Sequence, residues 1–217
     1  MTTSILPYKA VVERRGFRPK FLMKTIAIVS RKGGVGKSTL TINLAVAAQN
    51  STIIDTDSQA SCADWGDRRN AKPPEVITVP ASRVRVALKK CQTDWAFIDT
   101  QPSAEASLIE IAKESDICII VLRPGQLELD ALGSTLAAIR AAEAKAVFCI
   151  NQAHPQSNLN ELVAGLEHHY QVGSLIRSRA DFPASVAEGM SVVEWNPEGK
   201  AALEILNYWS WLKEQLA

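Results

Sequence analysis

The sequence contains only four cysteines, and no two of them stand close enough to form a C-x-x-C pair. This spacing argues against a cysteine-ligated metal or iron–sulfur site and favours reduced, buried thiols. The sequence also lacks the uninterrupted apolar run of roughly 18 to 20 residues that a membrane-spanning helix needs, and it has no apolar secretory stretch near its N-terminus. We therefore expect a cytoplasmic protein with no membrane association.

Charge is unevenly distributed along a chain whose net charge is only +1. Residues 1–24 contain a single acid, Glu13, and six basic residues, namely Lys9, Arg14, Arg15, Arg18, Lys20 and Lys24. Such a segment can bind nucleic acid phosphates or an acidic membrane surface, and the alternatives are a solvated tail or a start codon placed too early. The remainder has the composition of one globular domain, since 47% of all residues are hydrophobic and 22% are charged. We predict a basic extension over residues 1–23 and a single domain over residues 24–217.

Apolar, β-branched runs alternate with helical patterns along this domain. The runs predict strands at residues 25–30, 51–57, 76–80, 95–100, 116–122 and 145–151. The patterns between and after them predict helices at residues 37–49, 82–91, 104–113, 128–143 and 158–169. A short strand near Leu175, a helix ending at Gly189 and a closing helix from Pro197 to about Leu216 complete the prediction. Strands this hydrophobic indicate an α/β fold in three layers, with a mostly parallel, twisted sheet covered by helices on both faces.

A glycine-rich stretch, RKGGVGKSTL, follows the first predicted strand and opens the first helix. Its glycines are Gly33, Gly34 and Gly36. They let the backbone curl so that its N–H groups point at phosphate oxygens, while the helix dipole adds positive potential. Lys37 is then placed to reach the β- and γ-phosphates of ATP, the Ser38 hydroxyl to ligate Mg²⁺, and Thr39 to help hold the α-phosphate. Together with Val35, these residues form a predicted nucleotide-binding loop of the P-loop NTPase kind.

Three aspartates, Asp55, Asp57 and Asp99, stand at the carboxyl ends of two apolar strands. Because parallel strands end at the same edge of a sheet, these carboxylates should face one crevice together with the phosphates. Asp99 ends its strand as a Walker B residue does, and we expect it to hold Mg²⁺ through a water molecule. Helix capping and turn formation are the alternative roles for these side chains.

The glycine-rich loop departs from the G-x-x-x-x-G-K-[ST] pattern, because Arg31 occupies the position of the first glycine. The form found here, KGGVGKS, resembles the deviant Walker A motif of the ParA/MinD group of ATPases. IIDTDSQAS and WAFIDTQPS are similar to that group's D-x-D-P-Q-[GA]-S and D-T-P-P-S segments, with Ser58 and Gln101 in place of prolines. ADWGDRR, PGQLELDAL and IRSRADFPASVAEGMSVVEW resemble the small, single-domain ParA proteins of the ParF type. The resemblance covers roughly residues 24–216.

This resemblance implies roles that spacing alone does not assign. In ParA-like dimers the residue corresponding to Lys32 crosses to the nucleotide of the partner subunit, so hydrolysis would require two subunits face to face. By family position, Asp57 would orient and help activate the attacking water, and Asp55 would support the Mg²⁺ shell. Lys32, Lys37 and Asp57 are thus the candidate catalytic residues. Asn151, at the end of the sixth predicted strand, would contact the adenine, and the alternative is a turn residue, for which asparagine at a strand end is also common.

Basic residues outside the loop are candidate contacts to DNA phosphates. They are Arg85, Lys89, Arg177 and Arg179, the last of which matches a recurrent arginine of the family. The two later arginines could instead pair with Asp181 or Glu188, or line the nucleotide site, and the earlier two could belong to a solvated helix face.

The closing segment repeats apolar residues at helical spacing, through Leu203, Leu206, Trp209 and Leu212. We expect this stripe to dock onto the sheet, since its nearby charges lack the basic character of a membrane-binding helix like that of MinD.

The function that the resemblance implies is a weak basal ATPase that forms ATP-sandwich homodimers and binds nonspecific DNA in the bacterial nucleoid. A ParB-like adaptor would stimulate hydrolysis, and the cargo would be a plasmid or chromosome. One alternative is a ParA-like ATPase that positions another cargo, such as a chemoreceptor array, a microcompartment or a pilus. Another is an ATP-dependent DNA-binding module that does not hydrolyse ATP, which the replaced prolines keep open.

Overall fold

The computed structural model describes residues 23–102 and 105–217. All of the predicted basic extension except Met23 therefore lies outside the described residues. The strands are β1 (Lys24–Val29), β2 (Ser51–Asp55), β3 (Glu75–Thr78), β4 (Trp95–Asp99), β5 (Ile117–Leu122) and β6 (Ala146–Ile150). They form one sheet in the order β3-β2-β4-β1-β5-β6, and every neighbouring pair is parallel.

Helices connect and follow the strands. They are α1 (Lys37–Ala47), α2 (Ser61–Arg68), α3 (Val84–Leu88), α4 (Glu105–Lys113), α5 (Gln126–Ala141), α6 (Asn160–Glu167), α7 (Asp181–Ala187), α8 (Val192–Trp195) and α9 (Lys200–Gln215). Within the described part of the chain, none of these helices has the length and apolar character required to cross a bilayer.

The two faces of the sheet carry separate apolar cores. On one face, alternate residues of β1 such as Ile26 and Ile28 pack with α1 and α9, and on the other face Ala27 and Val29 pack with α3 to α6. Both faces are buried because successive strand residues point to opposite sides of a sheet, and the run from Ile26 to Val29 is apolar throughout. The predicted three-layer α/β/α architecture with a parallel sheet is therefore confirmed.

The register of the sheet brings the acidic strand ends together. In the pairing of β2 with β4, Asp55 lies opposite Asp99, and in the pairing of β1 with β4, Ile28 lies opposite the same aspartate. The loop that follows β1 thus starts beside both carboxylates. Topology alone places the glycine-rich loop and these aspartates at one edge of the sheet.

The segment 189–194 connects the C-terminal helices to α1 and α2. The Asn43 side-chain oxygen accepts a hydrogen bond from a backbone N–H of this segment at 2.8 Å, and the Trp65 indole donates to one of its carbonyls at 3.1 Å. The Arg69 guanidinium, only 3% exposed, lies over the Trp65 ring and donates to both carboxylate oxygens of Glu194 at 2.8 Å. The end of the chain is thereby tied to the two helices that flank the acidic crevice.

The structure differs from the sequence prediction in several details. Residues 61–68 and 192–195 form helices that had no helical prediction, and the closing helix starts at Lys200 rather than Pro197. The strand near Leu175 is reduced to single bridges at Val172 and Arg177. The apolar stripe of α9 also divides differently. Trp209 and Leu212 are buried against the core as expected, whereas Leu203 and Leu206 are 49% and 37% exposed.

Candidate nucleotide-binding site

The glycine-rich loop between β1 and α1 has the backbone geometry that only glycine adopts readily. Gly34 and Gly36 have φ values of 75° and 89°, in the left-handed region. Gly36 immediately precedes α1, so its turn directs the loop into the N-terminus of that helix. This is the arrangement in which backbone N–H groups and a helix dipole converge on an anion.

Lys37, the first residue of α1, is almost fully buried and lies at the acidic edge of the sheet. Burial lowers the pKa of its ammonium group, and the negative charges of Asp99 and Asp57 act in the opposite direction. The structure therefore brings together the predicted phosphate-binding lysine and two of the predicted aspartates.

Asp99 is fully buried at the end of β4 and is surrounded by donors from α1 and α2. Its carboxylate accepts hydrogen bonds from the Ser38 hydroxyl, from Thr41 Oγ1 at 3.3 Å and from the Cys62 thiol at 3.3 Å. Burial raises its pKa to about 6, although the hydrogen bond from Ser38 lowers it. Ser38 and Asp99 were both predicted to serve the metal, and they are in direct contact.

Asp55 is also fully buried, and its carboxylate is held by backbone donors. Its Oδ1 accepts from the Asp57 N–H at 3.0 Å, while its Oδ2 accepts from the N–H groups of Cys62 and Ala63 at 3.1 and 3.2 Å. Burial raises the pKa of Asp55, and these backbone donors lower it. Asp55 thus holds the beginning of α2 beside the site, which is the capping role left open by the sequence.

The metal-binding potential of this crevice rests mainly on oxygen atoms. Ligand atoms of Asp55, Cys62 and Asp99 lie within 4.8 Å of one another, and all three side chains are buried. Carboxylate and hydroxyl oxygens suit Mg²⁺, so the set Ser38, Asp55 and Asp99 fits that ion by its chemistry. The thiol of Cys62 does not, and sequence reasoning gave it no role beyond that of a buried thiol.

Asp57 and Lys32 are less deeply buried than Lys37 and Asp99. Both residues are half-buried. The Asp57 carboxylate accepts a hydrogen bond from the Gln59 N–H at 2.9 Å, which fixes the turn before α2. The Lys32 N–H donates to Ser30 Oγ at 3.3 Å at the start of the loop. Their predicted roles in hydrolysis stay predictions.

Asn151 follows β6, and its side chain contacts the glycine-rich loop. Its side-chain Nδ2 donates to the Val35 carbonyl at 2.8 Å, and its Oδ1 accepts from the N–H of Gln152 at 2.9 Å. The residue predicted as an adenine contact is therefore also in contact with the phosphate-binding loop.

The candidate DNA-contacting arginines of the later segment have partners within the chain. Arg179 forms an ion pair with Glu204 of α9, and its side chain is 22% exposed. Arg177 donates through Nη1 to the His154 carbonyl at 2.7 Å. The partner of Arg179 is thus neither of the acids considered from the sequence, Asp181 and Glu188.

The earlier basic pair lies on an open surface. The Arg85 side chain is 72% exposed and stands 3.7 Å from a carboxylate oxygen of Glu114, and Lys89, which follows α3, is exposed. This surface is separate from the acidic crevice.

Residues 26–192 match the CobQ/CobB/MinD/ParA nucleotide binding domain. The chain belongs to this family. The matched range includes the glycine-rich loop and all three aspartates, so the crevice lies within the part of the chain that matches a ParA/MinD-type nucleotide binding domain.

Similar proteins are known by sequence and by structure. Maintenance of carboxysome distribution protein A of Halothiobacillus neapolitanus is 26% identical over 202 residues, which is 84% of this chain and 93% of that protein. The protein of the same name from Gloeobacter kilaueensis is 25% identical over 193 residues, or 83% of this chain and 88% of that protein.

Two solved structures show the same fold. Pyrococcus horikoshii MinD, solved with Mg-ADP, has a TM-score of 0.70 at 18% identity, covering 89% of this chain and 97% of its own. A plasmid partition protein of Borrelia burgdorferi bound to AMPPNP has a TM-score of 0.70 at 20% identity, and the match covers 88% of this chain and 99% of that protein's chain. The nucleotides in these structures support ATP and Mg²⁺ as the cofactors expected from the sequence of this ParA/MinD-type domain.

Proposed function

We propose that this chain is a Mg²⁺-dependent ATPase that hydrolyses ATP slowly alone and faster when two subunits close on the nucleotides. The observation that carries the proposal is the different burial of two lysines in one loop. Lys37 is buried beside Asp99 and Asp57 of its own subunit, whereas Lys32 in the same loop is only half-buried. A partly exposed cation in this loop is suited to a phosphate held by a second copy, when two subunits place these loops face to face.

In this proposal each side chain has a definite task. The loop N–H groups and Lys37 bind the β- and γ-phosphates, and Ser38 with Asp99 and Asp55 would hold the Mg²⁺. The metal ion, when bound, neutralises charge that develops on the phosphate oxygens. Asp57 orients the attacking water, and its turn is held by the Gln59 N–H and by Asp55. Lys32 supplies positive charge to the nucleotide of the partner subunit.

A mixing experiment tests this assignment sharply. Lys32→Ala and Asp57→Ala should each bind ATP but lose stimulated turnover, by about 10³-fold for the lysine. A 1:1 mixture of the two should recover about a quarter of wild-type turnover, because half of the dimers are mixed and each mixed dimer keeps one site with both groups intact. Arg31→Ala is the matched control, since Arg31 is the exposed neighbour of Lys32 in the same loop.

Three outcomes would contradict the proposal. Full turnover in Lys32→Ala would remove the crossing cation. Mixtures that stay inactive, although mixed dimers form, would mean that Lys32 and Asp57 serve the same nucleotide from one subunit. A wild-type protein that binds ATP but never hydrolyses it, even with its adaptor, would favour the non-hydrolysing DNA-binding module.

We further propose that the ATPase cycle positions a cargo over nonspecific DNA, with an adaptor that stimulates hydrolysis. Two cargoes are supported by different observations. The curated relatives are carboxysome distribution proteins, which supports a protein-bounded compartment as the cargo. The ParF-like motifs and the likeness to a Borrelia partition protein support a plasmid or chromosome with a ParB-like adaptor.

Deleting the gene separates these two cargoes. If the cargo is a replicon, daughter cells should lose it at a raised frequency while intracellular compartments stay evenly spaced. If the cargo is a protein compartment, fluorescently labelled compartments should cluster while the plasmids of the host remain stable. Restoring the wild-type gene, but not Lys32→Ala, should reverse whichever defect is found.

A further inference from the structure

Asn151 is fixed beside the phosphate-binding loop by three hydrogen bonds, two of which involve its side chain. It is 6% exposed, and its backbone N–H donates to the Leu122 carbonyl of β5 at 2.8 Å. Its Oδ1 accepts from the Gln152 N–H at 2.9 Å, and its Nδ2 donates to the Val35 carbonyl at 2.8 Å. The amide group therefore joins the end of the sheet to the middle of the loop.

The contact is close enough to depend on glycine in the loop. A Cβ atom placed on Gly36 would lie 2.4 Å from Asn151 Nδ2, well inside van der Waals contact. Gly36 also has a φ of 89°, so both the backbone conformation and the adjacent amide favour glycine at this position. The loop backbone and the Asn151 amide are thus packed directly against each other.

This contact controls the direction of one peptide unit. In a planar trans peptide, the carbonyl of Val35 and the N–H of Gly36 point in opposite directions. When Asn151 holds the carbonyl towards β6, the N–H is turned to the other side of the loop. Binding of phosphates by such a loop needs N–H groups presented on one side, with carbonyls directed away. Val35 is 1% exposed, so water cannot readily replace the amide donor.

We propose that Asn151 is a positioning residue for the phosphate-binding loop, which sets the affinity for the phosphates through the Val35 carbonyl and not the choice of base. The proposal rests on the nucleotide-binding part of the proposed function and adds a role for a residue outside the loop. This role differs from the adenine contact implied by the family resemblance. If Asn151 contacted only the base, replacing it would leave the affinity for a phosphate chain without a base unchanged.

Binding measurements with three ligands distinguish the two roles. The probes are Mg-ATP, Mg-ITP, in which the 6-amino group of the base is replaced by oxygen, and Mg-tripolyphosphate, which has no base or sugar. In Asn151→Ala the affinity for all three should fall by the same factor, about 5- to 20-fold, as expected for one lost hydrogen bond to a buried carbonyl. The ATP-to-ITP affinity ratio should remain that of the wild type.

Two further variants separate loss of the hydrogen bond to Val35 from a general disturbance of the loop. Asn151→Asp keeps the size of the side chain but cannot donate to Val35, so it should weaken all three ligands at least as much as the alanine. Gln152→Ala is the matched control, because its amide approaches the loop only at 3.5 Å, to the Gly34 carbonyl; it should change each affinity by less than about twofold. All measurements are made well below the unfolding temperature of each variant in the absence of ligand.

Steady-state kinetics provide a second readout. The Asn151 contact should hold the loop equally well in the ground state and in the transition state. Its loss should therefore raise KM for ATP by about the same factor as it weakens ATP binding, while kcat stays within about twofold. The proposal is overturned if tripolyphosphate affinity is unchanged in both Asn151 variants while the ATP-to-ITP ratio falls towards one. A wild-type protein that binds ATP without hydrolysing it would refute the proposed ATPase function and leave this binding comparison intact.

Discussion

The thiol of Cys62 donates a hydrogen bond to Oδ2 of Asp99 over 3.3 Å. Cys62 lies in the first turn of α2, and its backbone N–H donates to Asp55. One cysteine therefore links the two buried carboxylates of the crevice. Burial and the nearby carboxylates raise the pKa of Cys62, so the thiol stays protonated and acts as a donor.

We expect Cys62 to be inert to alkylation in the folded protein, because the thiolate is the reactive form and this thiol is both buried and hard to ionise. Cys91 is half-buried and should react first with iodoacetamide at neutral pH. Mass spectrometry of peptides over a time course measures the order of modification. The control is the urea-unfolded protein, in which all four cysteines should react at similar rates. Modification of Cys62 as fast as Cys91 would show that the crevice opens far more readily than its packing implies.

Asp99→Asn should stabilise the nucleotide-free protein in a pH-dependent way. The pKa of Asp99 is raised from 3.8 to about 6, so between these values the folded state keeps a proton that the unfolded state has lost. The free energy of unfolding of the wild type therefore falls as pH rises through this range and stays reduced above it. Relative to the wild type, the variant should gain little below pH 4 and about 3 kcal/mol at pH 7.5.

Urea denaturation without Mg²⁺ or nucleotide, at several pH values, measures that difference. The same variant should lose Mg²⁺-dependent ATP binding, which separates its functional defect from its stability. A variant that is less stable than the wild type at pH 7.5 would mean that the hydrogen bonds from Ser38, Thr41 and Cys62 outweigh the cost of burying the charge.

DNA binding, if it occurs as proposed, should depend more on the exposed basic pair than on the paired arginine. Arg179 is engaged by Glu204, whereas Arg85 and Lys89 are exposed. For a double Arg85→Ala, Lys89→Ala variant, the slope of log affinity against log salt should become shallower by about 2, since each lost phosphate contact removes about 0.9. Fluorescence anisotropy with duplex DNA, ATP and a salt titration measures the slope.

Arg179→Ala is the comparison variant for that experiment. It should lower the free energy of unfolding, because Glu204 loses its partner, while the salt slope changes by less than about 0.5. The reverse pattern would move the DNA surface to the later segment. Salt-independent retention by every variant would remove phosphate contacts as the basis of binding.

The strands and the site could be predicted from sequence for a common physical reason. Strands buried on both faces must be continuously apolar, and the polar residue that ends each one, such as Asp55 or Asp99, stands out against that run. The glycines of the loop are visible because no other residue readily adopts their backbone angles. Local sequence patterns were therefore enough to predict the fold and the position of the crevice at the edge of the sheet.

What the sequence could not reveal depends on contacts between distant residues. The beginning of α2 is held by Asp55, seven residues before Cys62, so its amino acids alone carry a weak helical signal. Arg179, in the segment before α7, pairs with a glutamate of α9 that lies 25 residues later, while the nearer acids considered from sequence are not its ion-pair partner. The contact between Asn151 and Val35 spans 116 residues. Each of these contacts forms only when the folded chain brings distant residues together, so no short stretch of sequence predicts it.

The position of α9 has a consequence for how the protein is made. Tyr208, Trp209 and Leu212 of this helix belong to the same apolar core as α1, and the ring of Trp209 is tilted against that of Phe97 of β4, with 5.8 Å between the ring centres. A nascent chain therefore contains its phosphate-binding loop long before it contains α9, which packs against the helix that follows this loop. We expect newly made chains to become competent for ATP only after α9 has left the ribosome and packed against α1.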